Sequence, residues 1–161
     1  MTEEDRIERL VCEYGRMLVR LAASRLDSVA DAEDAVQDVF CTLVSKKLVF
    51  VDPEYEKAWL IRATINRASD LRRRKSRLNV PLDEARAVPD DAAETERRGR
   101  EMLACVRALP EKYAVVHHLH YYEGCGLREI GVMLRVPAAT VGTRLARGRA
   151  RLKALLEEES L

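Results

Sequence analysis

The run LREIGVMLRVPAATVGTRLARGRARLKALL, residues 127–156, decides how the chain is read. Its second half places Val141, Leu145, Gly148, Leu152 and Leu155 at steps of four and three, the spacing at which side chains share one face of an α-helix. Thr140, Arg144, Arg147 and Arg151 recur on another face, so this helix packs through one stripe and presents guanidinium groups outward. Pro137 opens it, as proline does at a first helical turn. Just upstream, Leu127, Ile130 and Leu134 give a short helix its apolar face, after a turn punctuated by Gly124 and Gly126. A short helix, a tight turn and a basic helix make a helix-turn-helix, which delivers a reading helix to the major groove. An arginine-rich amphipathic helix is also simply well solvated, so this run alone leaves the two readings level.

Outward from that run, the pattern stays helical. Met102, Leu103 and Val106 predict a helix ending before Leu109 and Pro110, and Tyr113, Val116 and Leu119 predict the next. Between Asn79 and Glu94 the periodicity fails and Pro81, Pro89, Asp90 and Asp91 appear, the composition of a solvated connector. In the first half, Ile7, Leu10, Val11, Tyr14, Leu18, Leu21 and Leu26 line one face of a helix running to about residue 26. Ser28 followed by Asp31 predicts a capped start for a second, with Ala35, Val36, Val39, Phe40, Leu43 and Val44 as its stripe. After a loop at Val51 to Glu54, marked by Asp52 and Pro53, a third helix carries Trp59, Leu60, Ala63, Ile65, Ala68 and Leu71 into a basic run. The expectation is an all-α chain of two small helical domains, 1–78 and 95–161, joined by a flexible linker over 79–94.

Composition fits this and excludes much else. Of 161 residues 47% are apolar and 34% charged, enough for packed helices with charged outer faces. The net charge of +1 averages over segregated blocks: Arg67, Arg72, Arg73, Arg74, Lys75 and Arg77 form one basic cluster, and Arg144, Arg147, Arg149, Arg151 and Lys153 another. Local patches of this kind set the footprint for a polyanion. The acidic start MTEEDRIERL is unlike a secretory signal, and no stretch nears the ~18 apolar residues of a membrane span, so a cytoplasmic chain without membrane insertion is expected. Cys12, Cys41, Cys105 and Cys125 are far apart and include no CxxC pair.

The segment LPEKYAVVHHLHYYEGCGLREIGVMLRVPAATVGTRLARGRARLKALL, from Leu109, resembles over its whole length the promoter-binding fourth region of sigma factors. Leu109 and Pro110 open it, Tyr122, Glu123 and Gly124 close its second helix, Ile130 and Leu134 anchor the scaffold helix, and Thr140, Val141, Arg144, Leu145, Arg147 and Arg149 belong to the reading helix. In the first half, DAEDAVQDVF followed by KAWLIRATINRASDLRRR is similar to the second sigma region of the extracytoplasmic-function group of the sigma-70 family. Two motifs in the right order separate this resemblance from a generic match to one helix-turn-helix.

The resemblance implies a set of roles. Asp34, Gln37, Asp38 and Phe40 would dock on the clamp coiled coil of the polymerase β′ subunit, while the second domain would meet the β flap. Asp34 and Asp38 lie one turn apart on the polar side of a helix whose apolar side is committed to the core, so they suit basic groups on a partner. The loop from Phe50 to Glu56, with Phe50, Asp52, Glu54 and Tyr55, would hold a flipped base of the minus-10 element, and Asn66 would contact a neighbouring base. Arg62, Arg67, Arg72, Arg73 and Arg74 would hold phosphates; capturing a base and binding phosphates offsets the cost of unpairing. Trp59, at core spacing, is expected to be buried rather than a stacking platform. Arg144 and Arg147 would contact the minus-35 element, assisted by Thr140, Thr143 and Arg149. An anti-sigma protein would be the regulatory partner. No catalysis, cofactor or metal is expected.

Two positions depart from the family pattern. Gly142 stands where lysine or arginine is usual, removing one contact to DNA and about 1 kcal/mol of helix propensity. Arg135 replaces the customary glycine of the helix-turn-helix turn, a place where positive φ would strain a side chain. Two other readings compete with this resemblance. A stand-alone helix-turn-helix regulator would carry a ligand or phosphoacceptor domain with strand-helix alternation, which is not found. A metal- or redox-responsive protein would use His117, His118, His120 and Cys125, but these lie in a helix whose neighbours read as core.

Overall fold

The structure is a computed structural model that describes residues 2–78 and 93–159. All of its elements are helical: α1 (Glu3–Ala23), α2 (Val29–Ser45), α3 (Pro53–Arg77), α4 (Ala93–Ala108), α5 (Glu111–His117), a π-helical turn (His118–Tyr122), α6 (Leu127–Leu134) and α7 (Ala138–Glu159). Of the linker expected over 79–94, residues 79–92 lie outside the described residues; Ala93 and Glu94 open α4.

Local chemistry sets the helix ends. Thr2 and Asp5 form a reciprocal capping box at α1. Ser28 accepts from the Asp31 N–H at 3.2 Å to start α2, and Asp52 accepts from the Glu54 N–H at 2.9 Å ahead of Pro53 to start α3. The third helix thus begins earlier than its apolar pattern suggested, and Glu54, Tyr55 and Glu56 occupy its first turn instead of a loop. α1 stops at Ala23, short of residue 26, because the Ser24 hydroxyl donates to the Leu21 carbonyl at 2.6 Å and competes with the helical ladder. Leu26 still reaches the core, 2% exposed.

Two helices end with a bulky cation in the left-handed conformation. Lys47 has φ 51°, flanked by the bonds Leu48 N–H to Leu43 O and Lys47 N–H to Val44 O that define a Schellman ending of α2. Arg135 has φ 60°, and the bond from Val136 N–H to Gly131 O at 2.9 Å closes α6 in the same manner. The turn therefore keeps the geometry glycine would favour, at a cost of about 1 kcal/mol for the side chain it carries. Gly131 is required where it is: a Cβ there would stand 2.7 Å from the Val136 carbonyl oxygen.

One apolar cluster runs through both halves. Leu10, Leu18, Leu21, Val36, Val39, Phe40, Leu43, Leu60 and Ile61 from α1, α2 and α3 are continuous with Val116, Leu119, Ile130, Met133, Val141 and Leu145. A second cluster, Cys105, Val106, Leu109, Tyr113, Ala114 and Leu152, ties α4 and α5 to the end of α7. The two halves thus pack against one another, with α6 seated on α3. Trp59 is half-buried against the larger cluster, in line with its spacing.

Candidate nucleic-acid interface

α2 exposes Asp34, Gln37 and Asp38 on its outer side and buries the opposite stripe. Phe40 belongs to that stripe: it is 8% exposed and packed in the core, where it holds the helix. Asp38 accepts from Arg67 Nε at 2.8 Å, linking the acidic face to α3. Both groups are partly solvated, so the pair contributes at most about 1 kcal/mol.

Along α3, Tyr55, Arg62, Asn66 and Arg73 follow one another at steps of seven, four and seven and so share a face. Asn66 and Arg73 are exposed on it, with Arg73 paired to Asp70. At its N-terminal end Phe50 touches both Tyr55 and Trp59, with ring centroids 5.7 Å apart in each case, and the Arg62 guanidinium lies 5.9 Å from the Tyr55 ring centroid. Phe50 also lines a cleft of about 510 Å³ shared with Thr2, Arg6, Arg9, Lys47 and Glu56. Asp52 is engaged in the α3 cap, Glu54 is exposed, and Glu56 is buried against Arg9 at 3.5 Å.

The five arginines expected to act together on phosphates are divided. Arg67 and Arg74 fall on a face adjacent to Asn66, and Arg72 on the opposite side, following 100° per residue. Arg62 donates to the Met133 carbonyl at 2.8 Å, and Arg72 donates to the carbonyls of Arg107 at 2.6 Å and Arg25 at 3.3 Å. Burial lowers the Arg62 pKa, with the neighbouring Arg135 adding to the effect. Sequence reasoning singled out neither Lys57, paired with Glu129 at 3.3 Å, nor Arg25 and Arg107, which cross between the halves. The one visible signal at Arg25 and Arg107 was position, basic residues beside helix C-termini; Lys57, in the second turn of α3, carried none.

On α7, Thr143 and Arg147 are exposed and Thr140 and Arg144 half-buried. Arg147 and Arg151 gather beside Tyr113, Arg151 lying 5.1 Å from its ring centroid. Desolvation raises the Tyr113 pKa, but Lys112, Arg147 and Arg151 outweigh it and bring the phenol below its ordinary value. Arg149 departs from this face. Five residues on from Arg144 it points about 140° away, and it donates to the Tyr121 hydroxyl at 2.7 Å. Gly142 lies against Leu127, whose Cδ2 would be 3.3 Å from an added Cβ.

The histidines have other partners. His118, 5% exposed, faces Glu123 at 3.2 Å, and Glu123 in turn accepts two bonds from Arg20 of α1, at 2.9 and 3.0 Å. Burial pulls the His118 pKa below its ordinary value although Glu123 opposes the shift. His120 Nδ1 meets the Cys125 carbonyl at 2.9 Å. Among the described residues no three His, Cys, Asp or Glu side chains converge as a metal site, and no helix is long and apolar enough to cross a membrane.

Comparison with known proteins fits this division. Residues 10–78 match the family model for sigma-70 region 2 and residues 99–152 that for sigma-70 region 4. The chain is 32% identical to the ECF RNA polymerase sigma factor SigM of Mycobacterium tuberculosis over 92% of its own length and 76% of that protein's. It is 30% identical to the ECF RNA polymerase sigma factor SigE of Mycolicibacterium smegmatis over 95% of its length, spanning 62% of that relative. RNA polymerase sigma factor SigZ of Bacillus subtilis is 28% identical, with 94% and 87% covered. In fold, the chain is similar to the sigma factor RpoE from Bartonella quintana, solved in complex with the anti-sigma factor NepR, at a TM-score of 0.70 and 20% identity over 93% of this chain and 96% of that one. With both regions matched in order and a relative above 30% identity along most of its length, the chain belongs to the extracytoplasmic-function group of sigma-70 RNA polymerase sigma factors.

Proposed function

We propose that the chain binds bacterial RNA polymerase core in the cytoplasm and directs it to promoters, reading the minus-10 element with α3 and the minus-35 element with α7. The observation that carries this reading is the presence of two separate basic faces, Tyr55, Arg62, Asn66 and Arg73 on one helix and Thr140, Arg144, Arg147 and Arg151 on the other, in a chain of this family. One face offers aromatic and amide groups beside a cleft, suited to an extruded base. The other is a helix-turn-helix whose reading helix carries Thr140, Thr143 and Arg144 in its first two turns, suited to base edges and phosphates. Asp34, Gln37 and Asp38 supply the acidic surface for the polymerase clamp coiled coil, and the second domain meets the flap.

The chain performs no bond chemistry in this scheme. Polymerase carries out nucleotidyl transfer, and the sigma factor contributes binding energy and strand capture. An anti-sigma factor is the regulatory partner proposed, on the strength of the similarly folded RpoE having been solved with one. The test is reconstituted transcription: the purified chain is added to bacterial core polymerase with a promoter library, and initiated sequences are selected. Promoter-dependent transcripts sharing two elements are expected. Absence of both core association and promoter-dependent transcripts rejects the reading.

A further inference from the structure

Tyr113 is the residue around which α5 and α7 meet. Gly148 is buried there, and a Cβ on it would stand 3.3 Å from the Tyr113 Cβ, so the missing side chain lets the reading helix lie directly against the tyrosine. Tyr113 is 4% exposed and belongs to the second apolar cluster with Val106, Leu109 and Leu152. A buried tyrosine needs a partner for its hydroxyl, and Arg147 approaches this one as a hydrogen-bond donor. The ring meets two further cations. Lys112 Nζ and the Arg151 guanidinium each lie 5.1 Å from its centroid, inside the range of about 6 Å over which a ring face attracts a cation. One side chain thus gathers three cations from two helices.

All three are exposed, and among the described residues none of them is paired with a carboxylate. Like charges held together repel, and an arriving anion relieves that repulsion. The local field is visible at the phenol, which the three cations bring below its ordinary pKa despite burial. Arg147 and Arg151 are on the proposed minus-35 face, whereas Lys112 comes from the helix that precedes the helix-turn-helix.

We propose that Tyr113 is a positioning residue of the minus-35 face, holding Arg147, Arg151 and Lys112 as one group for a duplex phosphate and so extending the DNA contact from α7 to α5. Its assignment to the minus-35 element rests on the promoter reading; the grip on a duplex phosphate does not. A free arginine loses side-chain entropy when DNA orders it, and one already held against a ring has lost much of that entropy beforehand. The arrangement also titrates. Charged groups facing the phenol are Lys112 on its own helix and Arg147 and Arg151 on α7, and α4 brings the Cys105 thiol to the same cluster. While the phenol is neutral the cations are available to a phosphate; once it ionises, the phenolate competes for them. Duplex affinity therefore falls as pH rises through the lowered Tyr113 pKa.

The test uses the full chain and fluorescence anisotropy with a labelled 20-base-pair mixed-sequence duplex, since a phosphate contact carries no sequence information. Tyr113→Phe keeps the ring and the fold and removes the hydroxyl, and circular dichroism should show its helix content unchanged. It should bind roughly threefold more weakly at pH 7.5. Between pH 7.5 and 10 the wild type should lose roughly fivefold more affinity than this variant, which retains Lys112 and Cys105 and so isolates the phenol. Lys112→Gln should lower the slope of log affinity against log salt by about 0.9, the signature of one lost phosphate contact. Either an alkaline profile in Tyr113→Phe that matches the wild type, or an unchanged salt slope in Lys112→Gln, overturns the proposal. The duplex carries no promoter, so failure of the transcription assay rejects the promoter reading and leaves these measurements intact, while failure here leaves the transcription result standing.

Discussion

α3 and α7 are both long helices carrying arginines, yet their side chains are in opposite states. On α7 Arg147 is exposed, and Arg144 and Arg151 share its face. On α3 Arg62 and Arg72 are bonded to carbonyls of the other half, and Arg67 to Asp38. The same residue type on the same kind of element has a different function according to what packs on it. The proposed DNA face of α7 is open as folded; on the proposed face of α3, Arg62 is already bonded to the other half.

The largest expected effect comes from Gly131→Ala. Its methyl would crowd the Val136 carbonyl at 2.7 Å, so the turn must shift, destabilising the helix-turn-helix by about 2 to 3 kcal/mol. Urea melts should show that loss together with abolished binding to minus-35 duplex. If duplex binding survives, the turn does not set the α7 face. Next, Arg147→Ala should weaken duplex binding by the free chain roughly tenfold and largely spare association with core polymerase. Equal loss of both would contradict the division of labour. Arg62→Ala should change duplex binding by the free chain less than about twofold, because a guanidinium already bonded to Met133 O has little to lose; this follows from population-shift reasoning. A tenfold effect would erase the contrast between the two helices.

A smaller effect is expected from pH. The folded His118 pKa lies below its unfolded value, so below about the ordinary histidine value of 6.5 the unfolded chain binds more protons than the folded one. Stability is therefore retained at neutral pH and declines as pH falls through that value. Melting temperatures measured at pH 7.5 and 5.5 should decrease, and His118→Asn should flatten the decline. An unchanged slope would place the pH sensitivity elsewhere. The smallest effect is a gain: Arg135→Gly relieves the φ of 60° and should raise stability by up to about 1 kcal/mol, a shift of roughly 2 to 4 °C at this size. No gain in a thermal melt would show that the side chain holds the turn in some compensating way.

What the sequence disclosed follows the range of the forces involved. The caps at Ser28 and Asp52, the apolar stripes of α2 and α7 and the left-handed site at Arg135 are decided by neighbours within a few residues, and they were legible. Phe40 lies on the buried stripe with Val36, Val39 and Leu43, as its periodicity indicates, whereas a family motif marks a helix without saying which of its positions face inward. The family motif groups Arg149 with Arg144 on one helix, while its angle around α7 and its bond to the Tyr121 hydroxyl put it on another side of that helix. The engagements of Arg62, Arg72 and Arg107 join residues 35 to 84 positions apart, and no local pattern announces which carbonyl a distant guanidinium will meet.

The apolar cluster shared by the two halves has a consequence for dosage. Both of its sides belong to one polypeptide, and the fifteen peptide bonds between Leu78 and Ala93 reach no farther than about 50 Å when fully extended. Each half thus sees the other at an effective concentration that dilution cannot lower, in the millimolar range typical of short tethers. Whatever fraction of chains has its halves packed together is then the same in a cell holding ten copies as in one holding thousands, and only a competing surface, not scarcity, changes it.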